Sequence, residues 1–215
     1  MVTKVTSYFH TQSLFEIAKR ASSKDLQDED SSIVAIMFSV SALEAFINES
    51  GALANMVPTS KLQKRVKAYS AIMKELEDRK EALLVKYHMG LLIFAGSTWD
   101  EGAKPYQDFR LLVSLRNAIL HMKGDKWEVQ LKEGMPEPER EMKQYPKFVQ
   151  TLRDRKLIDK PAKSSSWLQL INNPRVGRWA CETASNITKV FADSIPKGFY
   201  KTSLKTDLLL SVNHD

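Results

Sequence analysis

The sequence predicts an all-α protein, a helical bundle of about five main helices. Apolar residues recur at helical spacing along most of the 215 residues, and this pattern indicates amphipathic helices. The chain has only eight Gly and eight Pro, too few for the many turns of an all-β sandwich. A chain of this length favours one domain, which we assign to residues 1–196, with residues 197–215 as a C-terminal tail.

The first two helices are predicted at 11–21 and 31–50. The second is apolar nearly all round, which is typical of a helix at the centre of a bundle. Its polar positions include Ser41, Glu44 and Asn48, which are spaced i, i+3 and i+7 and therefore share one face. The glycine that follows this helix is expected to end it.

The third helix is predicted at 61–86 and is followed by a loop at 90–104, where glycines interrupt the pattern. The first turns of this helix are strongly basic. A run of like charges is most often a solvated helix face, but it also offers contacts to RNA phosphates. The basic residues are Lys61, Lys64, Arg65 and Lys67.

The fourth helix is predicted at 105–123 and is the best delimited. Pro105 suits the first helical position, Asp108 lies in the first turn, and Gly124 follows as a C-terminal stop. Residues 124–165 then break the pattern with four prolines and many charges. We interpret this region as a partly helical insertion laid over the bundle.

Two more helices complete the prediction. One modest helix is expected inside the insertion, at 147–157. The last main helix begins after Asn173-Pro174, an N-cap residue followed by proline, and runs to about Ser194.

Several classes of functional site are excluded by the composition. The single cysteine, Cys181, rules out an intrachain disulfide framework and a zinc site made of several thiolates. The sequence has no His-x-x-x-His pair, no P-loop, no Gly-x-Gly-x-x-Gly and no Gly-x-Ser-x-Gly. We therefore expect no metal site and no cofactor.

The charge and the apolar pattern indicate the kind of partner and compartment. The excess of 32 basic over 26 acidic residues gives a net charge of +6, which favours RNA or a nucleotide as a partner. The apolar stretches are too short or too interrupted to span a bilayer, and no signal peptide is recognisable. The expected location is the cytoplasm, with no membrane partner.

One group of polar residues that could take part in catalysis or binding lies on the fourth helix. It is the segment Arg116-Asn117-Ala118-Ile119-Leu120-His121. Asn117 and His121 are i, i+4 neighbours, and Ser114 extends their face by one turn. Arg116 lies roughly 140° round the helix from His121, so the two meet only through a long Arg side chain or a second copy of the helix.

The motif, in the context S-L-R-N-A-I-L-H-M-K, resembles the signature of the HEPN superfamily. That signature is an Arg followed after four to six residues by a His, often with a polar residue directly after the Arg. The segment S-A-L-E-A-F-I-N-E also resembles the helix that packs behind the motif in bacterial members. The resemblance covers about 10–123, with the helix at 173–195 as a closing element.

This resemblance implies a HEPN-like bundle that acts as a homodimer, with the two motifs meeting in one cleft. It further implies a metal-independent endoribonuclease. It also suggests a toxin or phage-defence setting, with a cognate antitoxin protein as a partner. His121 would be the general acid/base, since the reference pKa of a histidine side chain, about 6.5, is close to neutral pH. Arg116 would stabilise the phosphorane-like transition state, and Asn117 would orient the phosphate or the histidine. Supporting residues would be Glu44, Ser114 and Lys123.

Other interpretations stay open at this point. His121 could simply satisfy the last carbonyls and the dipole of its helix. Glu44 could be a structural carboxylate paired with Arg110 or Arg116. The alternative function is a non-catalytic module that binds a nucleotide or a partner protein, with Arg and His holding a ligand phosphate without turnover.

Overall fold

Helices account for most of the chain, which confirms the predicted all-α class. The computed structural model describes residues 9–23, 30–57, 64–122, 127–130, 139–142, 144–160 and 165–212. The helices are α1 (Thr11–Ser22), α2 (Ser31–Met56), α3 (Lys64–Asp78), α4 (Leu83–Ala95), α5 (Tyr106–Leu120), α6 (Lys147–Asp154), α7 (Trp167–Ile171), α8 (Pro174–Ser194) and α9 (Phe199–Asp207). Two short strands, β1 (Trp127–Gln130) and β2 (Glu139–Met142), form an antiparallel ribbon.

The central element is α2, which packs against α1, α3, α4, α5, α8 and α9. Residues on most of its circumference are buried, as its apolar sequence predicts. The predicted end at Gly51 is wrong, because the helix continues to Met56. A Cβ atom at Gly51 would lie 2.8 Å from the Cβ of Met73. Glycine is therefore needed here so that α3 can approach α2 closely.

The predicted third helix at 61–86 is wrong, because this region contains two helices. The chain turns between α3 and α4, where Lys80 has a positive φ of 56°. Gly90, expected in a loop, lies inside α4, and a Cβ atom there would come within 2.5 Å of the Phe191 ring. The loop instead begins at Gly96, which ends α4 in the left-handed conformation with φ 73°.

The predicted fourth helix is confirmed as α5, although it is shorter at both ends. Pro105 is the N-cap residue rather than the first helical residue, and His121 is the C-cap. Lys123 and the predicted stop at Gly124 lie outside the described residues.

The predicted insertion contains the modest helix expected there, which is α6. The β1–β2 ribbon was not predicted, and neither was α7. The start of α7 has a capping box, in which Ser166 Oγ accepts from the Gln169 backbone and the Gln169 side chain accepts from the Ser166 N–H. The S-x-x-Q spacing of this box is visible in the sequence, so it was a usable signal.

The last predicted main helix is confirmed as α8, and its N-cap is formed by the Asn173 side chain, which accepts from the Arg175 N–H at 2.9 Å. The segment 197–215, assigned to a tail, contains α9. Tyr200 and Leu204 of α9 are buried, and the Tyr200 hydroxyl donates to the Ser50 carbonyl at 2.9 Å. The tail assignment is therefore wrong for this helix, which is part of the core.

By length and composition alone, α2 could cross a membrane, and it is the one helix in the described part of the chain that passes this test. Half of its apolar window is buried by the rest of the bundle. Because core helices and signal sequences pass the same test, one such helix is weak evidence for a membrane span.

The packing of α9 gives a stability prediction. Leu204→Ala should lower the free energy of unfolding by about 2–5 kcal/mol, because it leaves a cavity at a fully buried site. Urea unfolding followed by circular dichroism measures this loss. Thr206→Ala, at an exposed position of the same helix, should change it by no more than about 0.5 kcal/mol. Equal effects of the two substitutions would contradict the placement of α9 in the core.

Candidate functional site

The Arg-Asn-Ala-Ile-Leu-His motif lies at the C-terminal end of α5. The helix is fixed by buried Leu112 and Leu115 and packs against α2 and α8. Arg116 and Asn117 belong to its last turns. His121 caps it, and its backbone N–H donates to the Asn117 carbonyl at 3.0 Å.

Three of the predicted site residues share the solvent-exposed face of α5. Ser114, Asn117 and His121 are all exposed, and their spacing places them on successive turns. The His121 imidazole has no hydrogen-bond or ion-pair partner among the described residues. We refer to Ser114, Asn117 and His121 as the polar face.

Arg116 points away from the polar face, towards α2. Its Nη2 lies 3.4 Å from Oε2 of Glu44. The sequence left open whether Glu44 pairs with Arg110 or Arg116, and the structure shows Arg116. Arg110 instead lies 3.9 Å from Glu101. The Arg116 side chain is 21% exposed and that of Glu44 is 50% exposed, so solvent screens the pair and its contribution to stability is small.

Within one protomer, the structure does not bring Arg116 and His121 together. Arg116 is held at the α2 side of α5, whereas His121 is exposed beyond the last helical residue. This agrees with the angular separation expected from the helical period. A phosphate that contacts both side chains therefore requires a second copy of the motif or a rearrangement of the Arg116 side chain.

Of the polar positions predicted on α2, only Glu44 reaches α5. The Ser41 hydroxyl donates to the Met37 carbonyl of its own helix at 3.0 Å. Asn48 Oδ1 accepts from the Lys86 ammonium at 3.0 Å. Ser41 and Asn48 of the predicted α2 face therefore have their hydrogen-bond partners outside α5.

The motif is flanked by exposed apolar side chains. Leu120 and Met122, on either side of His121, are 52% and 54% exposed. Val34 is also exposed on α2, ten residues before Glu44. Exposed apolar residues that cluster beside polar ones are a common property of interaction surfaces.

The basic run predicted as an RNA contact lies on another part of the fold. Lys61 is outside the described residues, while Lys64 and Lys67 are exposed on α3. Arg65 Nη1 donates to the Phe94 carbonyl at 2.9 Å and so ties α3 to α4. No hydrogen bond or ion pair joins the described part of this run to the polar face.

Sequence reasoning missed Lys86, which is buried on α4. Its ammonium contacts Glu77 and Asn48. Because an unpaired buried charge is costly, these two partners are what makes its burial possible. A lysine in the apolar run L-L-V-K-Y-H-M was a signal that could have found it. Its partners also line a cleft of about 520 Å³ between α2 and α3.

Cys181 and three tryptophans are part of the core. Burial raises the pKa of the Cys181 thiol. Trp99, Trp167 and Trp179 are buried, in agreement with core packing. In the described ranges, no group of three His, Cys, Asp or Glu residues is arranged to hold a metal ion.

Comparison of the chain with protein-family models, with curated proteins and with solved structures finds no match in any of the three.

Because the His121 side chain is exposed, we expect it to contribute little to stability, and this expectation can be tested. His121→Ala should lower the free energy of unfolding by less than about 1 kcal/mol, the scale of an interaction at a helix terminus. Leu115→Ala, a fully buried change on the same helix, should cost about 2–5 kcal/mol. Urea unfolding of the two variants measures this contrast. A loss above about 2 kcal/mol for His121→Ala would identify it as a structural residue.

Proposed function

We propose that the protein is a metal-independent endoribonuclease of the HEPN type, which cleaves RNA at a site shared by two copies of the chain. The observation that carries the proposal is that the polar face of Ser114, Asn117 and His121 is exposed to solvent, while Arg116 of the same motif pairs with Glu44 on the α2 side of α5. The type of reaction is proposed from the resemblance of the motif, and the chemistry of histidine, arginine and asparagine side chains is suited to it.

The reaction needs a proton shuttle and cationic stabilisation. The 2′-hydroxyl of RNA attacks the adjacent phosphorus and gives up its proton, and the bond from phosphorus to the 5′-oxygen breaks. The 5′-oxygen takes up a proton, which leaves a 2′,3′-cyclic phosphate and a 5′-hydroxyl. His121 of one copy would act as the general acid/base: it would take up the proton of the 2′-hydroxyl and give a proton to the 5′-oxygen. Arg116 would stabilise the charge that develops on the phosphoryl oxygens, and Asn117 would orient the phosphate.

Two features support a homodimeric site. A single protomer leaves Arg116 and His121 on different sides of α5, so one copy alone does not supply both groups to one phosphate. The exposed Leu120 and Met122 flank His121 in the motif, and a two-fold interface would cover them while bringing two motifs together. We further propose a cytoplasmic location and, from the resemblance alone, a toxin or phage-defence role with a cognate antitoxin.

The alternative, a non-catalytic module that binds a nucleotide or a partner protein, is favoured by one observation. Arg116 is already paired with a carboxylate, and no described side chain orients the His121 ring. Such an arrangement could hold a ligand phosphate without turnover.

The ribonuclease proposal predicts a specific product and metal independence. The purified protein should cut a mixed RNA pool equally well with and without EDTA, and the products should end in a 2′,3′-cyclic phosphate or a 3′-phosphate. His121→Ala should lower the rate roughly 10²- to 10⁴-fold. Arg116→Lys should also be severe, since an ammonium cannot form the bidentate contact of a guanidinium. Gel analysis and end-group mapping measure these outcomes.

A matched control is Lys189→Ala, which removes an exposed positive charge on α8 and should leave cleavage unchanged. Activity that disappears with EDTA and returns with magnesium would refute the metal-independent mechanism. Full activity in both motif variants would refute the site. RNA binding without cleavage would support the alternative module.

The shared site predicts complementation between inactive variants. Arg116→Ala and His121→Ala proteins, each inactive alone, should regain about a quarter of wild-type activity when dissociated and reassociated together. Half of the resulting dimers are mixed, and each mixed dimer combines an intact Arg116 from one copy with an intact His121 from the other. Leu120→Asp should give a monomer in sedimentation and abolish this recovery. A wild-type protein that is monomeric at micromolar concentration would contradict the shared site.

A further inference from the structure

A groove of about 630 Å³ lies between α5 and α6, next to the polar face. We call it the α5–α6 groove. From α5 it is lined by Gln107, Arg110 and Ser114, and from α6 by Lys147 and Phe148. The second wall is formed by the predicted insertion, whose function the sequence did not indicate.

The α5–α6 groove has an excess of positive charge. Arg155 also lines it, but the guanidinium of this residue is committed to Asp108. Lys147 is exposed and has no ion-pair partner among the described residues. Arg110 is 56% exposed, and its pairing with Glu101 spans 3.9 Å, near the limit of an ion pair. Two cations are thus available to a polyanion, against the single carboxylate of Glu101 in the lining.

The groove also presents a fixed aromatic ring. Phe148 is half-buried and lies edge-on against Trp167, with ring centroids 5.4 Å apart and an interplanar angle of 77°. This contact holds the ring in one orientation while part of it lines the groove. A positively charged groove with an ordered aromatic ring is the combination that binds single-stranded nucleic acids, because bases stack on the ring and phosphates contact the cations.

The groove is continuous with the polar face through Ser114, which belongs to both. His121 follows Ser114 by seven residues, which is about 10 Å along the helix axis. A single strand with one phosphate at His121 would therefore bring its neighbouring nucleotides to the groove.

We propose that the α5–α6 groove binds the single-stranded RNA next to the cleaved phosphate, an inference that rests on the proposed ribonuclease function. Arg110 and Lys147 contact backbone phosphates, and a base stacks on Phe148. The groove is a substrate-binding surface, distinct from the residues that carry the reaction.

Binding of a fluorescent 2′-O-methyl oligoribonucleotide tests this inference, because its blocked 2′ position prevents cleavage. Fluorescence anisotropy with the full chain gives the affinity at several salt concentrations. Arg110→Ala and Lys147→Ala should each weaken binding about fivefold near 0.1 M salt and lower the salt slope by about 0.7, the value for one phosphate contact on a single strand.

Two further variants separate charge from stacking. Phe148→Leu should weaken binding about tenfold with no change in salt slope, because stacking involves no counterion release. Glu101→Gln should tighten binding, since it removes the carboxylate that opposes the phosphates. Lys189→Ala on α8 is the matched control and should leave affinity and slope unchanged.

The outcomes distinguish this inference from the ribonuclease proposal. If Arg110→Ala and Lys147→Ala leave affinity and salt slope unchanged while His121→Ala still abolishes RNA cleavage, the groove inference is overturned and the ribonuclease stands. If the groove variants weaken binding but the wild-type protein cuts no RNA, the ribonuclease proposal fails, and of the groove inference only the binding of single-stranded RNA stands. Failure of the wild-type protein to bind the oligonucleotide, or loss of binding only in Lys67→Ala on α3, would also overturn the groove inference.

Discussion

The packing of aromatic rings around Phe191 is the interaction on which the rest of the bundle depends. This ring of α8 lies 5.7 Å from Phe46 of α2, 5.8 Å from Tyr69 of α3 and 5.8 Å from Tyr87 of α4, measured between centroids. The absent side chain of Gly90 lets α4 come close enough to contact it. Four helices are therefore fixed at one point.

The helices that the sequence predicted correctly are those whose boundaries are marked locally. Asn173-Pro174 marks the start of α8, and the apolar run of α2 marks a central helix. Two of the errors fall where a glycine serves packing rather than chain reversal. Gly51 and Gly90 look like breaks in the sequence, but each is required by a side chain distant in the chain, Met73 and Phe191 respectively. Only the tertiary contact distinguishes such a glycine from a helix stop.

For the candidate site, too, the local features were predictable from the sequence and the tertiary contacts were not. The shared face of Ser114, Asn117 and His121 follows from helical period alone. The partner of Glu44 could be narrowed to two arginines but not decided, because the choice depends on how α2 and α5 cross. The α5–α6 groove could not be predicted, since one of its walls comes from an insertion whose packing is not encoded in a short motif.

The Arg116–Glu44 pair determines how the proposed site could respond to substrate. A half-exposed ion pair of this kind is worth roughly 0–1 kcal/mol, so a phosphate can replace the carboxylate at low cost. The pair also places a negative charge next to Arg116, and it holds the guanidinium on the α2 side of α5. If Arg116 binds a phosphate as proposed, Glu44 is the carboxylate that the phosphate would displace.

The contact between α9 and α2 has a consequence for the order in which the protein folds on the ribosome. Tyr200 and Leu204 complete the core around Ser50 of α2, yet they are made about 150 residues later. Domains complete their folding only when all the segments of their core have emerged during synthesis. The polar face of α5 is therefore translated well before the core that supports it is closed, and a nascent chain that stops before α9 would display the motif on an incomplete bundle.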